Sequence, residues 1–395
     1  MDRNRFAITA VIGCAALVVL LVVAIPAAFL IPSARLQVFG RNPAGAVTGP
    51  AGAGAQGVPD TGSENPNPDP AITADAALPS LVDLYQQNSA GVVSIRRPGQ
   101  ASSQANGAGF ILDEAGHILT AAHLAAEAEE LTVIFHNGFE ARARVIGSDA
   151  GSGLAVLLAE ALVEGAHPLT LGDSDALQVG EWVVALGNPS GASSSMTAGI
   201  VSALGQQFTS PQAAFSLPLG IQIQNAIHSG NTGGPLLNLQ GEVIAINAQL
   251  SEIDGQTGPA VGYALPASVV RHVVPVLIEK GAYEWPWLGL SGEPVNLEIA
   301  EANRLPHQQG AYVTWVVPGS PAAKAGLIGR QNPEGGDIIL AADGERVEHF
   351  TGLLALILFK NPGDRVILWI SRAGEQLEVP LILEPRPEGI GAETY

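Results

Sequence analysis

Short runs of apolar and β-branched residues follow one another between residues 91 and 265, with glycine, proline, asparagine or aspartate between them. Runs of this kind predict strands joined by tight turns. After a short helix over Leu81–Asn88, the first six predicted strands are Gly91–Arg96, Gly109–Leu112, His117–Thr120, Leu131–Phe135, Glu140–Gly147 and Leu154–Leu158. Six more follow: Trp182–Leu186, Ser194–Leu204, Ile221–Gln224, Pro235–Leu237, Gly241–Asn247 and Gly262–Leu265. Asn137-Gly138 is the strongest hairpin signal, because both residues favour positive φ. The strand count alone predicts a sandwich or barrel.

The pattern becomes helical after the last of these strands. Ala267–Lys280 carries apolar residues at three- and four-residue spacing, with Pro275 among them and Gly281 directly after them. Proline inside a helix removes one hydrogen bond, and glycine is a common helix end. We expect a kinked connecting helix over residues 267–283.

The amino-terminal segment is different again. Phe6–Ile31 contains 26 residues without a charge, more than the roughly 20 that cross a bilayer core. We predict a transmembrane anchor over residues 1–35, with Arg3 and Arg5 on the inner side. Val11-Ile12-Gly13-Cys14 is similar to a lipoprotein cleavage site, but the apolar run continues past Cys14, which argues against lipidation. Residues 36–79, rich in proline, glycine and alanine, are predicted to be a flexible linker.

Charge and composition exclude several functions. The formal net charge is −19, from 37 acidic and 18 basic residues, and nucleic-acid binding requires clustered cations. Cys14 is the single cysteine, so no disulfide forms within the chain. The eight histidines show no metal-ligand spacing. We therefore expect no nucleic-acid partner, no metal and no cofactor.

Three stretches carry the candidate chemistry. Gly230-Asn231-Thr232-Gly233-Gly234-Pro235 is a glycine-rich turn with a hydroxyl at its centre. His123 ends the run Leu119-Thr120-Ala121-Ala122-His123, and Gly153 precedes Leu154-Ala155-Val156-Leu157. These stretches resemble the HtrA (Deg) family of trypsin-like serine proteases. The resemblance implies two six-stranded barrels with the site between them, His123 as base, and an oxyanion turn at Gly230, Asn231 and Thr232. It also implies a serine at position 232 and an aspartate at position 153.

Two of the three catalytic positions therefore carry the wrong residue. Replacing such an aspartate by an amide lowers turnover by roughly 10⁴, and Gly153 removes the partner altogether. Thr232 keeps a hydroxyl, but its methyl group restricts χ1. The sequence favours a pseudoprotease, in which the double change Thr232→Ser and Gly153→Asp would return activity. The alternatives are an active enzyme with a Thr232–His123 dyad, and a regulatory subunit that joins active relatives.

Neighbouring residues give little support to the idea that another side chain takes over a missing catalytic role. Asp149 matches a separate, non-catalytic aspartate of the family, four residues before the acid. Gln224 stands where the family commonly has an aspartate. His228 and Ser229 precede the turn and are predicted to be wall residues.

A second recognisable module begins near residue 284. Trp287-Leu288-Gly289-Leu290, Pro318-Gly319-Ser320-Pro321 and Gly336-Asp337-Ile338-Ile339 resemble a PDZ domain of the protease-associated type. Such a domain binds an extended peptide as an added strand. The resemblance implies that Trp287, Leu288, Gly289 and Leu290 form the peptide-binding loop, with a helix over Phe350–Phe359 beside the groove. Leu288 and Leu290 could also simply pack in the core.

The fold expected from all this is mainly β: a chymotrypsin/trypsin-like double barrel (residues 80–266), a connecting helix, a PDZ domain (284–386) and a tail (387–395). The expected partners are unfolded polypeptides or C-terminal peptides, with a homotrimer as the family's common assembly. We expect a single-pass membrane protein with its globular domains on the extracytoplasmic side.

Overall fold

The computed structural model describes residues 80–97, 107–187, 194–210, 212–213, 215–248, 261–305, 308–331, 335–390 and 394–395. The predicted anchor and linker lie outside these residues. Within the described ranges, no helix is long and apolar enough to span a bilayer.

The first six strands form a closed antiparallel barrel. They are β1 (Val92–Arg96), β2 (Gly107–Ile111), β3 (His117–Ala121), β4 (Glu130–Ile134), β5 (Glu140–Asp149) and β6 (Leu154–Ala159). Their spatial order is β1-β2-β3-β6-β5-β4, and β4 pairs with β1 to close the barrel. The interior is filled by side chains that include Ile95, Ile118, Leu131, Phe135 and Leu157. The helix Leu81–Asn88 and a 3₁₀ turn at Ser89–Gly91 precede this barrel.

The next six strands form a second closed barrel. They are β7 (Trp182–Gly187), β8 (Ser195–Phe208), β9 (Leu217–Gln224), β10 (Pro235–Leu237), β11 (Val243–Asn247) and β12 (Gly262–Pro266), in the order β10-β11-β12-β9-β8-β7. Strands β8 and β9 extend beyond their predicted ends at Leu204 and Ile221. The extensions pair with each other through repeated register shifts. Such irregularities interrupt the apolar alternation on which the prediction relied.

The connecting helix, Ala267–Lys280, runs through Pro275 and ends at Gly281 as predicted. Gly281 has φ 79°, and its N–H donates to the Leu277 carbonyl oxygen at 3.0 Å. The apolar face of the helix packs in a core shared with residues of both barrels; its members are Val269, Val270, Val273, Val274 and Leu277.

The remaining strands build a separate sheet module. They are β13 (Pro286–Trp287), β14 (Leu290–Pro294), β15 (Ala311–Val316), β16 (Ile338–Ala342), β17 (Glu345–Arg346), β18 (Arg365–Arg372), β19 (Glu375–Ile382) and β20 (Glu384–Pro385). The main order is β14-β15-β16-β18-β19, with β17 on β16 and β13 paired with β20. The helices of this module are Leu297–Ala302, Pro321–Lys324 and Phe350–Leu358. The third helix ends at Leu358, one residue before its predicted end.

Trp285 connects this module to the first barrel. Its indole Nε1 lies 3.1 Å from each carboxylate oxygen of Asp149. Its ring makes edge contacts with Phe215 and Tyr283, with centroids 5.7 and 4.7 Å away. Burial, and then the charge of Asp149, raise the pKa of Tyr283 to about 12. This aromatic cluster therefore surrounds a buried carboxylate.

The two neighbouring tryptophans allow a matched test of this contact. Trp285 and Trp287 are both buried, at 6% and 4% exposure, but among the described residues Trp287 Nε1 has no hydrogen-bond partner. We predict that Trp285→Phe lowers the free energy of unfolding by about 1–3 kcal/mol more than Trp287→Phe, because it removes a donor to a buried charge. Urea unfolding of both variants measures this difference; equal losses would contradict the role given to the Trp285–Asp149 contact.

Candidate functional site

His123 lies in the short helix Ala122–Ala125, directly after β3. Because β3 pairs with β6, the start of this helix lies beside the loop that ends at Gly153. The Ala122 N–H donates to the Gly153 carbonyl oxygen at 2.7 Å. The fold thus brings two of the three predicted catalytic positions together.

The His123 ring has no hydrogen bond to any of the described residues, and its side chain is partly buried. Burial lowers its pKa, and the positive charge of Arg97 lowers it further. A neighbouring carboxylate would act in the opposite direction. The imidazole is therefore uncharged at neutral pH, with no described group to fix its tautomer or its orientation.

Gly153 leaves no room for the acid that the family resemblance implies at this position. Its φ is +73°, in the left-handed region. A Cβ placed on it would lie 2.7 Å from the Ser210 Oγ and 2.9 Å from the Ser210 Cβ. Ser210 is only 3% exposed, and it lines the same small cavity as His123 and Gly153. The space that a side chain at position 153 would need is occupied by Ser210, from the segment that follows β8.

Asp149 does not replace the missing acid. It is buried at 7% exposure and accepts hydrogen bonds from the Ser152 N–H at 2.7 Å, the Ser152 Oγ at 2.6 Å and Trp285 Nε1. The Gly151 N–H adds a longer bond at 3.2 Å. All these donors hold the carboxylate in its own loop, in agreement with the non-catalytic role inferred from its position.

Thr232 is buried at 2% exposure, on the turn between β9 and β10. Its Oγ1 donates to the His228 carbonyl oxygen at 3.1 Å, so the hydroxyl is engaged within its own loop. The next residue, Gly233, has φ +82°, and a Cβ there would lie 2.8 Å from the Ala121 nitrogen. This close approach places the turn against the end of β3, next to the helix that carries His123.

The N–H groups of the predicted oxyanion turn donate to acceptors within the same turn. The N–H groups of Asn231 and Thr232 both donate to the His228 carbonyl oxygen, at 3.0 and 3.1 Å. The Gly230 N–H donates to His228 Nδ1 at 3.1 Å, and the His228 N–H donates to the Asn231 Oδ1 at 2.8 Å. An oxyanion site needs free donors aimed at the substrate. In this conformation Gly230, Asn231 and Thr232 do not supply them.

The roles of His228 and Ser210 are not among those predicted from the sequence. His228 was predicted to be a wall residue; its side chain is exposed, but its backbone and ring organise the whole turn. A polar residue two to four positions before a glycine-rich turn is a signal for such local hydrogen bonds. No comparable signal marks Ser210, because its contact with Gly153 joins residues 57 positions apart. Gln224 is exposed and pairs with Ile200 at the end of β9.

The second candidate site is the loop before β14. Trp287, Leu288 and Leu290 are buried, and Leu288 and Leu290 lie in the core of the sheet module, as the alternative packing role requires. Gly289 has φ +79°, and a Cβ there would lie 2.0 Å from the Ser320 Cβ. Ser320 Oγ donates to the Gly289 carbonyl oxygen at 3.1 Å. The Gly289 and Leu290 N–H groups both donate to the main-chain oxygen of Tyr395.

Comparison with known protein families identifies both parts of the chain. The trypsin-like peptidase domain family matches residues 107–246, and the PDZ domain family matches residues 286–383. The match to the peptidase family includes the His123, Gly153 and Thr232 positions.

Curated relatives cover most of this chain. A probable periplasmic serine endoprotease DegP-like from Chlamydia trachomatis is 37% identical over 300 residues, which is 75% of this chain and 58% of that protein. A protein with the same description from Hahella chejuensis is 39% identical over 292 residues, or 74% of this chain and 60% of that protein. The chain thus spans about three fifths of the length of these relatives.

Solved structures also match most of this chain. The HtrA-type protease AlgW with a tripeptide superimposes with a TM-score of 0.66 at 28% identity, over 80% of this chain and 100% of AlgW. The serine endoprotease from Yersinia pestis gives a TM-score of 0.57 at 26% identity, over 78% and 98% of the two chains.

The crowding at Gly153 gives a testable prediction. Gly138 has a similar φ of +80°, but a Cβ there would meet nothing within 4 Å. We expect Gly153→Asp to lower the free energy of unfolding by about 1–3 kcal/mol more than Gly138→Asp, because only the former overpacks its surroundings. Urea unfolding measures both. Adding Ser210→Gly should recover most of the difference; no recovery would mean that Ser210 is not the obstacle.

The lowered pKa of His123 predicts a pH dependence of stability. As the pH falls through about 6.5, the unfolded chain takes up the proton before the folded one, so folding stability decreases. His123→Gln should reduce this loss between pH 7.5 and 5.5. His272, whose pKa is also lowered by burial, should contribute in the same way. The measurement is the free energy of unfolding at several pH values; curves of identical shape for wild type and His123→Gln would contradict the prediction.

Proposed function

We propose that the protease site of this chain is disabled and that the protein acts by binding peptides. The chain belongs to the HtrA family of trypsin-like serine proteases and carries a PDZ domain. The observation that carries this proposal is the replacement of the acid behind His123 by Gly153, with Ser210 packed against it. Without an anionic partner, the histidine has neither a fixed tautomer nor a stabilised charged form.

Further contacts support the loss of cleavage. The Thr232 hydroxyl donates to a backbone carbonyl, and the Asn231 and Thr232 N–H groups donate to the same oxygen. For these N–H groups to bind an oxyanion, their bonds to the His228 carbonyl oxygen would have to break. The loss of one triad member already removes most of the rate enhancement, because the members act together. The cleavage rate we expect is therefore at most the residual rate that substrate binding alone provides.

Peptide binding is the function that the PDZ domain retains. Two backbone N–H groups of its loop, those of Gly289 and Leu290, already bond to the main-chain oxygen of another segment, in the way that strand addition requires. The substrates we propose are unfolded polypeptides or C-terminal peptides in envelope protein quality control. The periplasmic description of the relatives and the apolar segment Phe6–Ile31 support an extracytoplasmic protein held by a single membrane anchor.

A second candidate function is that of a regulatory subunit in mixed oligomers with active relatives; the chain alone is expected to form a homotrimer. Val179 and Trp182 favour it, because these two large apolar side chains are 64% and 52% exposed near the start of β7. Mass photometry of the chain alone and with an active relative distinguishes this candidate from a monomeric adaptor.

Cleavage is tested directly with the full chain. We expect no degradation of an unfolded protein above the level of Thr232→Ala, and no labelling of Thr232 by a fluorophosphonate. The physical reason is the unpartnered His123, which provides no effective base for the threonine hydroxyl. Degradation that disappears in both Thr232→Ala and His123→Ala would instead establish the active dyad.

Restoration of activity is the complementary test. Because Ser210 fills the acid's space, Thr232→Ser with Gly153→Asp should stay nearly inactive, contrary to what the sequence alone predicts. Adding Ser210→Gly should raise the cleavage rate at least tenfold above that double variant. A folded triple variant without any gain would place the defect in the closed turn around His228.

A further inference from the structure

The residue Tyr395 lies in the peptide groove of its own PDZ domain. The Gly289 and Leu290 N–H groups donate to its main-chain oxygen, at 2.6 and 2.9 Å. In return the Tyr395 N–H donates to the Leu290 carbonyl oxygen at 2.8 Å. This is the pairing by which an added strand binds a sheet edge, here the start of β14.

The Tyr395 side chain lines a small apolar pocket together with Leu288, and Leu354 and Ile357 line it from the helix Phe350–Leu358. The Phe350 ring meets the tyrosine ring edge to face, with centroids 5.8 Å apart, a favourable aromatic geometry. The pocket therefore accepts a large aromatic side chain.

Arg386 holds the same segment from the other side. Its guanidinium donates to the Thr394 carbonyl oxygen and lies 4.5 Å from the centre of the Phe215 ring. Its backbone N–H donates to the Trp285 carbonyl oxygen at 2.9 Å. The PDZ loop thus binds Tyr395, and Arg386, which also contacts Phe215, binds Thr394.

We propose that Thr394–Tyr395 is an intramolecular ligand of the groove, and that a peptide that places a large aromatic side chain in the same pocket binds only by displacing it. This inference rests on the proposed peptide-binding function and adds its regulation. A tethered ligand acts at an effective concentration on the order of millimolar. It therefore weakens the apparent affinity for a competing peptide by about tenfold if its own dissociation constant is near 0.1 mM.

The test compares the full chain with variants lacking residues 391–395 or carrying Tyr395→Gly. The probe is a fluorescein-labelled synthetic peptide with the sequence of residues 387–395. We expect its dissociation constant to fall at least tenfold in the deletion and to decrease in Tyr395→Gly. Thr394→Ala is the matched control, because it keeps the backbone contacts of both residues and should change the affinity less than twofold. An equal affinity for the full chain and the deletion would overturn the inference.

Hydrogen exchange of the Gly289 and Leu290 amides separates this inference from the proposed function. The two amides should be protected in the full chain and exchange at least tenfold faster in the deletion, independently of protein concentration. If the amides respond in this way but no variant binds the probe, peptide binding fails and the intramolecular contact stands. If the deletion binds the probe but exchange is unchanged, only the inference fails. Protection that disappears on dilution would assign the contact to a second copy of the chain and also overturn it.

Discussion

The buried carboxylate of Asp149 is the contact on which the arrangement of the domains depends. A buried carboxylate requires several hydrogen-bond donors, and Ser152 supplies two of the four, through its N–H and its hydroxyl. The Gly151 N–H supplies a third, and Trp285 supplies the fourth from the segment that leads into the PDZ domain. This one side chain thereby bonds both to the loop that ends at Gly153 and to the connection between the barrels and the PDZ domain. Because this carboxylate is fully engaged, it is unavailable to His123.

The fold of the barrels does not depend on the residues at the predicted catalytic positions. The barrels depend on strand pairing, buried aliphatic side chains and close glycine contacts, such as Gly233 against the end of β3. None of these requires an aspartate at position 153 or a serine at position 232. Glycine and threonine at these two positions are therefore compatible with a well-packed trypsin-like fold. The hydrogen bonds of Thr232 and His228 give the turn internal partners that do not depend on a substrate.

The sequence predicted the parts of the structure that local pattern determines. The twelve barrel strands, the helix Ala267–Lys280 and its end at Gly281 follow from periodicity and turn residues. The bulged extensions of β8 and β9 were missed because their side-chain alternation is broken. The family resemblance identified His123, Gly153 and Thr232 as one site, but it gave no information about what had replaced the acid. The contacts of Ser210 with Gly153 and of Trp285 with Asp149 join distant segments, and no local pattern encodes them.

The serine packed against Gly153 has a consequence for substitutions at that position. An aspartate introduced there alone would bring steric strain, since Ser210 would still fill the space. A serine introduced alone at position 232 would leave His123 with the same surroundings. Residues in contact change each other's mutational effects, so positions 153 and 210 are expected to be epistatic. The result of adding an acid to the first barrel therefore depends on one small side chain that follows a strand of the second.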